Sequence, residues 1–148
     1  MTKKTKNLFI TLAFVLIAAI AFAALARVNG IITNRKVTQL EYGIGMVSTE
    51  TGKVGESNQS VYLKDLQKVN GAEIALDDNA TATVKVFYYD RDNAFISSST
   101  NLDLSEAPEG AVYFRVMITP ALVDGEPVTV SLLNISRYTD QVRIVVSK

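Results

Sequence analysis

The sequence predicts an all-β fold: an antiparallel β-sandwich, with a jelly roll favoured over an immunoglobulin-like topology, preceded by a single N-terminal transmembrane or signal helix. Three observations carry this. Beyond residue 27, short runs of β-branched and aromatic residues alternate with polar ones at a period of two and are punctuated by Gly, Pro, Asn and Asp. No stretch there keeps a 3.6-residue period. Residues 8–26, by contrast, carry no charge and only Thr11 as a polar side chain, enough for a helix of about 28 Å at about 1.5 Å per residue, close to a bilayer core.

The apolar run also accounts for a hydrophobic content of 48% and a mean hydropathy of +0.18, high values for 148 residues unless the apolar side chains are concentrated in one place. Lys3, Lys4 and Lys6 precede it. They favour an N-terminus kept in the cytoplasm and export of everything after Ala26. Ala24-Leu25-Ala26 would serve as a cleavage site, but the run is longer than the apolar core of a cleaved signal, which favours a retained anchor. The expected organisation is a basic cytoplasmic segment 1–7, an anchor or signal segment 8–26, a spacer 27–35 and an extracytoplasmic β-sandwich 36–148. Cleavage after Ala26 would instead make the domain secreted. The chain contains no cysteine, so the fold is held by its core and not by disulfides.

The net charge of zero hides an asymmetry. Once Lys3, Lys4, Lys6 and Arg27 are set aside, eleven basic residues face all fifteen acidic ones, a net charge of −4. An acidic domain whose strands carry no cluster of Lys and Arg argues against nucleic acid as a partner.

In chain order, residues 36–47 alternate Leu40, Tyr42, Ile44 and Met46 against Gln39, Glu41, Gly43 and Gly45, a half-buried strand whose two glycines point to a close neighbour. Residues 48–60 are polar and aperiodic, a long surface loop. Residues 61–69 give one or two short strands, Asn70-Gly71 is a hairpin signal, and a strand follows over 72–76. Residues 83–96, T-V-K-V-F-Y-Y-D-R-D-N-A-F-I, read as two antiparallel strands about a tight Asp-Arg-Asp-Asn turn, the hairpin around which the rest is organised. A polar passage over 97–110 leads to strict alternation over 111–119, with Val112, Phe114, Val116 and Ile118 inward. Strands are expected again at 128–135 and 141–147, with Val86, Phe114 and Ile144 in the core between sheets.

Alternation places Lys85, Phe87 and Tyr89 on one side of the central hairpin and Tyr113 and Arg115 on the matching side of the strand 111–119. If those strands are neighbours, the five residues form an aromatic platform beside a guanidinium. Such a platform suits a sugar, whose apolar C–H face stacks on aromatic rings and whose hydroxyls accept from arginine. The competing reading is that loop 48–60 covers Phe87 and Tyr89 while Arg115 pairs with an acid.

The order Gly45, Glu50-Thr51-Gly52-Lys53, Ser57-Asn58, the turn at Asn70-Gly71, V-F-Y-Y-D-R-D-N-A-F-I-S and A-P-E-G-A-V-Y-F-R-V-M-I resembles jelly-roll, carbohydrate-binding-module-like domains of Gram-positive bacterial surface and phage tail proteins. The likeness covers residues 40–119. It implies a jelly roll and a glycan or cell-wall polymer as ligand.

With neither histidine nor cysteine, the Ser-His-Asp and Cys-His nucleophile systems and zinc sites built on those residues are excluded. Glu41, Glu50, Asp90 and Asp92 could in principle supply a glycosidase, but nothing in their spacing singles out a pair. Asp90 and Asp92 offer hard oxygen ligands to Ca²⁺. Against that, Asp and Asn make turns without any metal. The expected function is a non-catalytic, membrane-anchored extracytoplasmic module for a glycan or cell-wall polymer. The alternatives are an accessory or structural protein-binding subunit of an envelope complex and a small carboxylate-based glycoside hydrolase.

Overall fold

In the computed structural model the described residues are 40–146. The segments 1–7, 8–26 and 27–35 and the first residues of the strand expected at 36–47 lie outside them, and with them the expected anchor. Among the described residues no helix is long and apolar enough to cross a membrane.

The described residues are mostly β, in antiparallel sheets, with a single helical turn of α type among them. Its centre is the paired strands β7 (Ala82–Tyr89) and β9 (Tyr113–Pro120), in register from Ala82 opposite Pro120 to Tyr89 opposite Tyr113. Together with β1 (Tyr42–Ile44), β4 (Val61–Leu63) and β8 (Phe95–Ser99) they make a sheet of order β1-β4-β9-β7-β8, and β5 (Gln67–Lys68) adds to β9 beside β4. Two ribbons complete the domain: β6 (Glu73–Leu76) with β10 (Val142–Val145), and β2 (Met46–Val47) with β3 (Val54–Gly55).

Alternation explains why both faces of the main sheet are filled. Val84, Val86 and Tyr88 of β7 and Phe114, Val116 and Ile118 of β9 share one face and pack with Ile74 and Val142 of the β6/β10 ribbon. Val86, Phe114, Val116 and Ile118 are wholly buried there, and Ile144 packs against the same cluster. Phe87 and Tyr89, of opposite parity, form a second cluster with Val47 of the β2/β3 ribbon. The main sheet is thus sandwiched between two small ribbons, each covering the apolar stripe that alternation turns toward it.

The hairpin 83–96, the strand 111–119 and the strands at 72–76 and 141–147 occur where expected, with ends shifted by a residue or two. Other expectations are corrected. Residues 128–135 form no strand; they run through coil and a turn into α1 (Ser136–Thr139). Asn70-Gly71 does make a turn, with Gly71 at φ 73° and the Ala72 amide bonded to the Val69 carbonyl at 3.1 Å, yet it joins no hairpin. Its flanking strands belong to different sheets, β5 on β9 and β6 on β10, so the turn carries the chain from one layer to the next. The strand expected at 36–47 breaks at Gly45, whose amide bonds the Ser60 carbonyl. Parity reverses there, leaving Met46 outside and Val47 buried. Val112 is outside as well, because β9 begins one residue later. The passage after residue 96 is not all loop, since β8 continues to Ser99.

Candidate functional site

The five residues expected to form a platform do share a face. Lys85 lies opposite Met117, Phe87 opposite Arg115 and Tyr89 opposite Tyr113. The face is not an open platform, however. Phe87 is 0% and Tyr89 5% exposed, and Tyr62, Leu66, Phe95, Tyr113 and Met117 close around them. The loop 48–60 supplies the cover, as the competing reading had it. It is partly ordered as the β2/β3 ribbon, and its Gly52 carbonyl accepts the Tyr89 hydroxyl at 2.7 Å.

Among the described residues Arg115 meets no acid. Its guanidinium carbon sits 5.8 Å from the Tyr62 ring centre and 5.9 Å from that of Tyr89, the arrangement of a cation held among aromatic faces. Its Nη2 donates to the Lys64 carbonyl at 2.7 Å, while its buried Nε has no partner among the described residues. Burial raises the Tyr89 pKa, and the positive charge of Arg115 partly offsets that rise. Gly43 and Gly45 have the role their small size suggests: a Cβ on either would fall 2.7 to 3.0 Å from the Tyr62 side chain. The cluster is therefore a closed aromatic core around one arginine. Lys85 is half-buried and stands outside it.

The expected calcium ligands are engaged in a turn. Asp90 Oδ1 accepts from the amides of Asp92 and Ala94 at 2.8 and 2.9 Å, and Asn93 takes φ 63°. This is an Asx turn that closes the β7/β8 hairpin. Asp92 points to Arg91, 3.7 Å away at the exposed tip. Among the described residues no group of three or more His, Cys, Asp or Glu side chains could hold a metal ion.

An open groove lies elsewhere, along the outer side of the β6/β10 ribbon, with a volume of about 590 Å³. In the ribbon register Glu73 opposes Val145 and Ala75 opposes Arg143, so these four share the face turned away from the core. The facing wall is residues 101–105. Asn101 Oδ1 accepts the Asp103 amide, and Asp103 Oδ1 accepts both the amide and the hydroxyl of Ser105, which folds this stretch into consecutive tight turns ahead of a 3-10 turn (Leu104–Glu106). The two Ser105 bonds hold the Asp103 carboxyl below its ordinary range. Leu104 is buried and anchors the wall, and Leu102 and Val145 add apolar surface.

The polar groups at this groove are largely uncommitted. The side chains of Arg143 and Glu73 make no hydrogen bond or ion pair with any described residue, and Asp103 Oδ2 accepts none. An apolar floor with a rim of donors and acceptors is the usual constitution of a ligand site of this size. Sequence reasoning missed it because its walls come from three segments far apart in the chain. The legible signals were the outward parity of Arg143 and the Asn-x-Asp-x-Ser spacing at 101–105.

No protein-family model matches the chain, and neither a curated protein nor a solved structure is significantly similar to it.

Proposed function

We propose that the chain is a non-catalytic binding module, displayed outside the cytoplasm behind an anchor at residues 8–26, whose ligand is a glycan or cell-wall polymer. The observation that carries the reading is the open groove beside β6/β10. The unpartnered side chains of Arg143 and Glu73 and the Oδ2 of Asp103 line it together with Leu102, Leu104 and Val145. Donors and acceptors beside an apolar floor complement a ligand that presents hydroxyls on its edges and C–H groups on its faces. The proposed ligand site moves accordingly from Lys85, Phe87, Tyr89, Tyr113 and Arg115 to this groove.

A jelly-roll topology is supported by the sheet order β1-β4-β9-β7-β8, in which β9 returns past the β7/β8 hairpin to pair with the far side of β7. The anchor rests on the charge-free run of residues 8–26 and the three lysines before it.

The test is binding of the full chain, in detergent micelles, to isolated Gram-positive cell walls and to a glycan array. An Asp103→Ala, Arg143→Ala double variant with an unchanged circular dichroism spectrum should lose the binding. Retention of wild-type binding by that variant moves the site elsewhere; absence of binding by wild type sinks the glycan reading. N-terminal sequencing of the protein from native membranes tests the anchor, and a mature terminus at Arg27 would exclude it.

A protein partner is the second reading, favoured by four exposed aliphatic side chains. Leu122 and Val123 are 63% and 60% exposed, Leu132 and Leu133 84% and 97%. Both segments are tied to the start of β7: the Ala121 amide bonds the Thr81 carbonyl, and Gln141, just after α1, bonds the Thr81 amide and hydroxyl. A crosslink in native membranes that disappears in a Leu132→Ser, Leu133→Ser variant would support a protein partner at this end.

A further inference from the structure

A second open groove, of about 530 Å³, adjoins the first and shares Ala72, Leu104 and Ser105 with it as common wall. We infer that the two act as one furrow that takes an internal stretch of an uncharged, hydroxyl-rich linear polymer, gripping it along its length and not at a chain end. The inference rests on the glycan-binding reading and deepens it.

Size is the first argument. Each groove alone has the volume of a small-molecule site, and the pair joined at Ala72 and Leu104 exceeds what one sugar ring or one disaccharide would fill. The second argument is the distribution of free polar groups. The first groove offers Arg143 with Glu73 and Asp103; the second offers Lys68 and Asn70, neither of which uses its side chain on any described residue. Each half therefore has its own donors, as a ligand running through both would require.

Charge is the third argument. Glu73 and Asp103 set against Arg143 leave the first half with a net charge of −1, and Lys68 gives the second +1. The furrow as a whole is neutral, and the acids at one end would repel a polymer carrying phosphate or carboxylate on every unit. The chain itself supplies the geometry, because the turn at Asn70-Gly71 that moves the backbone between layers also carries the furrow from β5 around to β6.

The probe is polysaccharide released from Gram-positive cell walls, separated by anion exchange into uncharged and anionic fractions and then sized. With the full chain in micelles, affinity for the uncharged fraction should rise at least about tenfold from short to long fragments. Arg143→Ala should weaken both lengths, whereas Lys68→Ala with Asn70→Ala should weaken only the long ones, by about tenfold, the loss expected when a charged donor is removed. Equal affinity for short and long fragments, indifference of long fragments to the Lys68 and Asn70 changes, or preference for the anionic fraction overturns this inference while leaving glycan binding in place. No binding of either fraction by wild type overturns both.

Discussion

The hydroxyl of Tyr89 donates to the carbonyl of Gly52 at 2.7 Å, joining the centre of the main sheet to the tip of the β2/β3 ribbon across 37 residues of chain. Gly52 holds φ 65°, and a Cβ there would come within 2.5 Å of the Phe95 ring. The ribbon can lie flat on Phe87, Tyr89 and Phe95 only because this position has no side chain. Gly52→Ala should cost about 2–4 kcal/mol, the left-handed backbone penalty added to the cost of an overpacked contact. Tyr89→Phe, which removes only the hydroxyl, should cost about 0.5–1.5 kcal/mol. Chemical denaturation ranks the two, and an alanine variant as stable as wild type would mean that the ribbon does not close on this face.

The same logic separates neighbouring residues on β9. Phe114 is wholly buried between the main sheet and the β6/β10 ribbon, whereas Tyr113, one residue earlier, is half-buried on the opposite face. Phe114→Ala should cost about 3–5 kcal/mol, a large part of a domain's total stability. Tyr113→Ala should cost distinctly less. Equal losses in denaturant midpoint would show that the two faces are equally packed.

The alternation of V-K-V-F-Y-Y and Y-F-R-V-M-I was enough to place β7 and β9, their turn and their inward residues, because a period of two is a local property of a half-buried strand. It could not tell whether the second face was open. That depended on Val47, which reaches the face only after parity reverses at Gly45, and on Gly52, whose missing side chain leaves room for the Phe95 ring. The expected strand at 128–135 failed for a related reason: Val128, Val130 and Ile135 pack on the core, but Leu132 and Leu133 between them point to solvent, so no alternating stripe is buried. The groove was the least legible feature. Glu73 and Arg143 are brought together only by the pairing of β6 with β10, a contact between residues about 70 apart in sequence, and Asp103 comes from a third segment that faces them.

Asp90 holds the β7/β8 turn through two backbone amides, so its role is to be hydrogen-bonded in the turn. Asp90→Ala should cost roughly 1–3 kcal/mol, two hydrogen bonds at about 0.5–1.5 kcal/mol each, and Asp90→Asn should recover most of it. Calcium or a chelator should leave the melting temperature of the wild-type protein unchanged. A rise on adding calcium that disappears in Asp90→Ala would restore the metal reading of this turn.

Burial of three tyrosines should make the stability of the domain fall at alkaline pH. Burial raises the pKa of Tyr42, Tyr88 and Tyr89 above the ordinary 10.0; Asp140 adds to the rise at Tyr42 and Asp103 at Tyr88, while Arg115 opposes it at Tyr89. A raised value in the folded state means that the native protein keeps a proton the unfolded chain has released. The stability from these groups is therefore complete below about pH 10 and is lost as pH rises from there through their folded values. Asp103 behaves oppositely, its pKa lying below 3.8, so its contribution is present above that pH and is lost as pH falls through the folded value. Melting temperature should accordingly be nearly flat from about pH 5 to about pH 9 and fall on either side. Tyr42→Phe isolates the alkaline effect, since the Tyr42 hydroxyl makes no hydrogen bond to a described residue and its removal leaves the packing of the ring intact. Melts of wild type and Tyr42→Phe should coincide at pH 7 and separate above pH 10, with the variant the more stable. Superimposed curves up to pH 11 would mean that Tyr42 titrates as an ordinary exposed phenol.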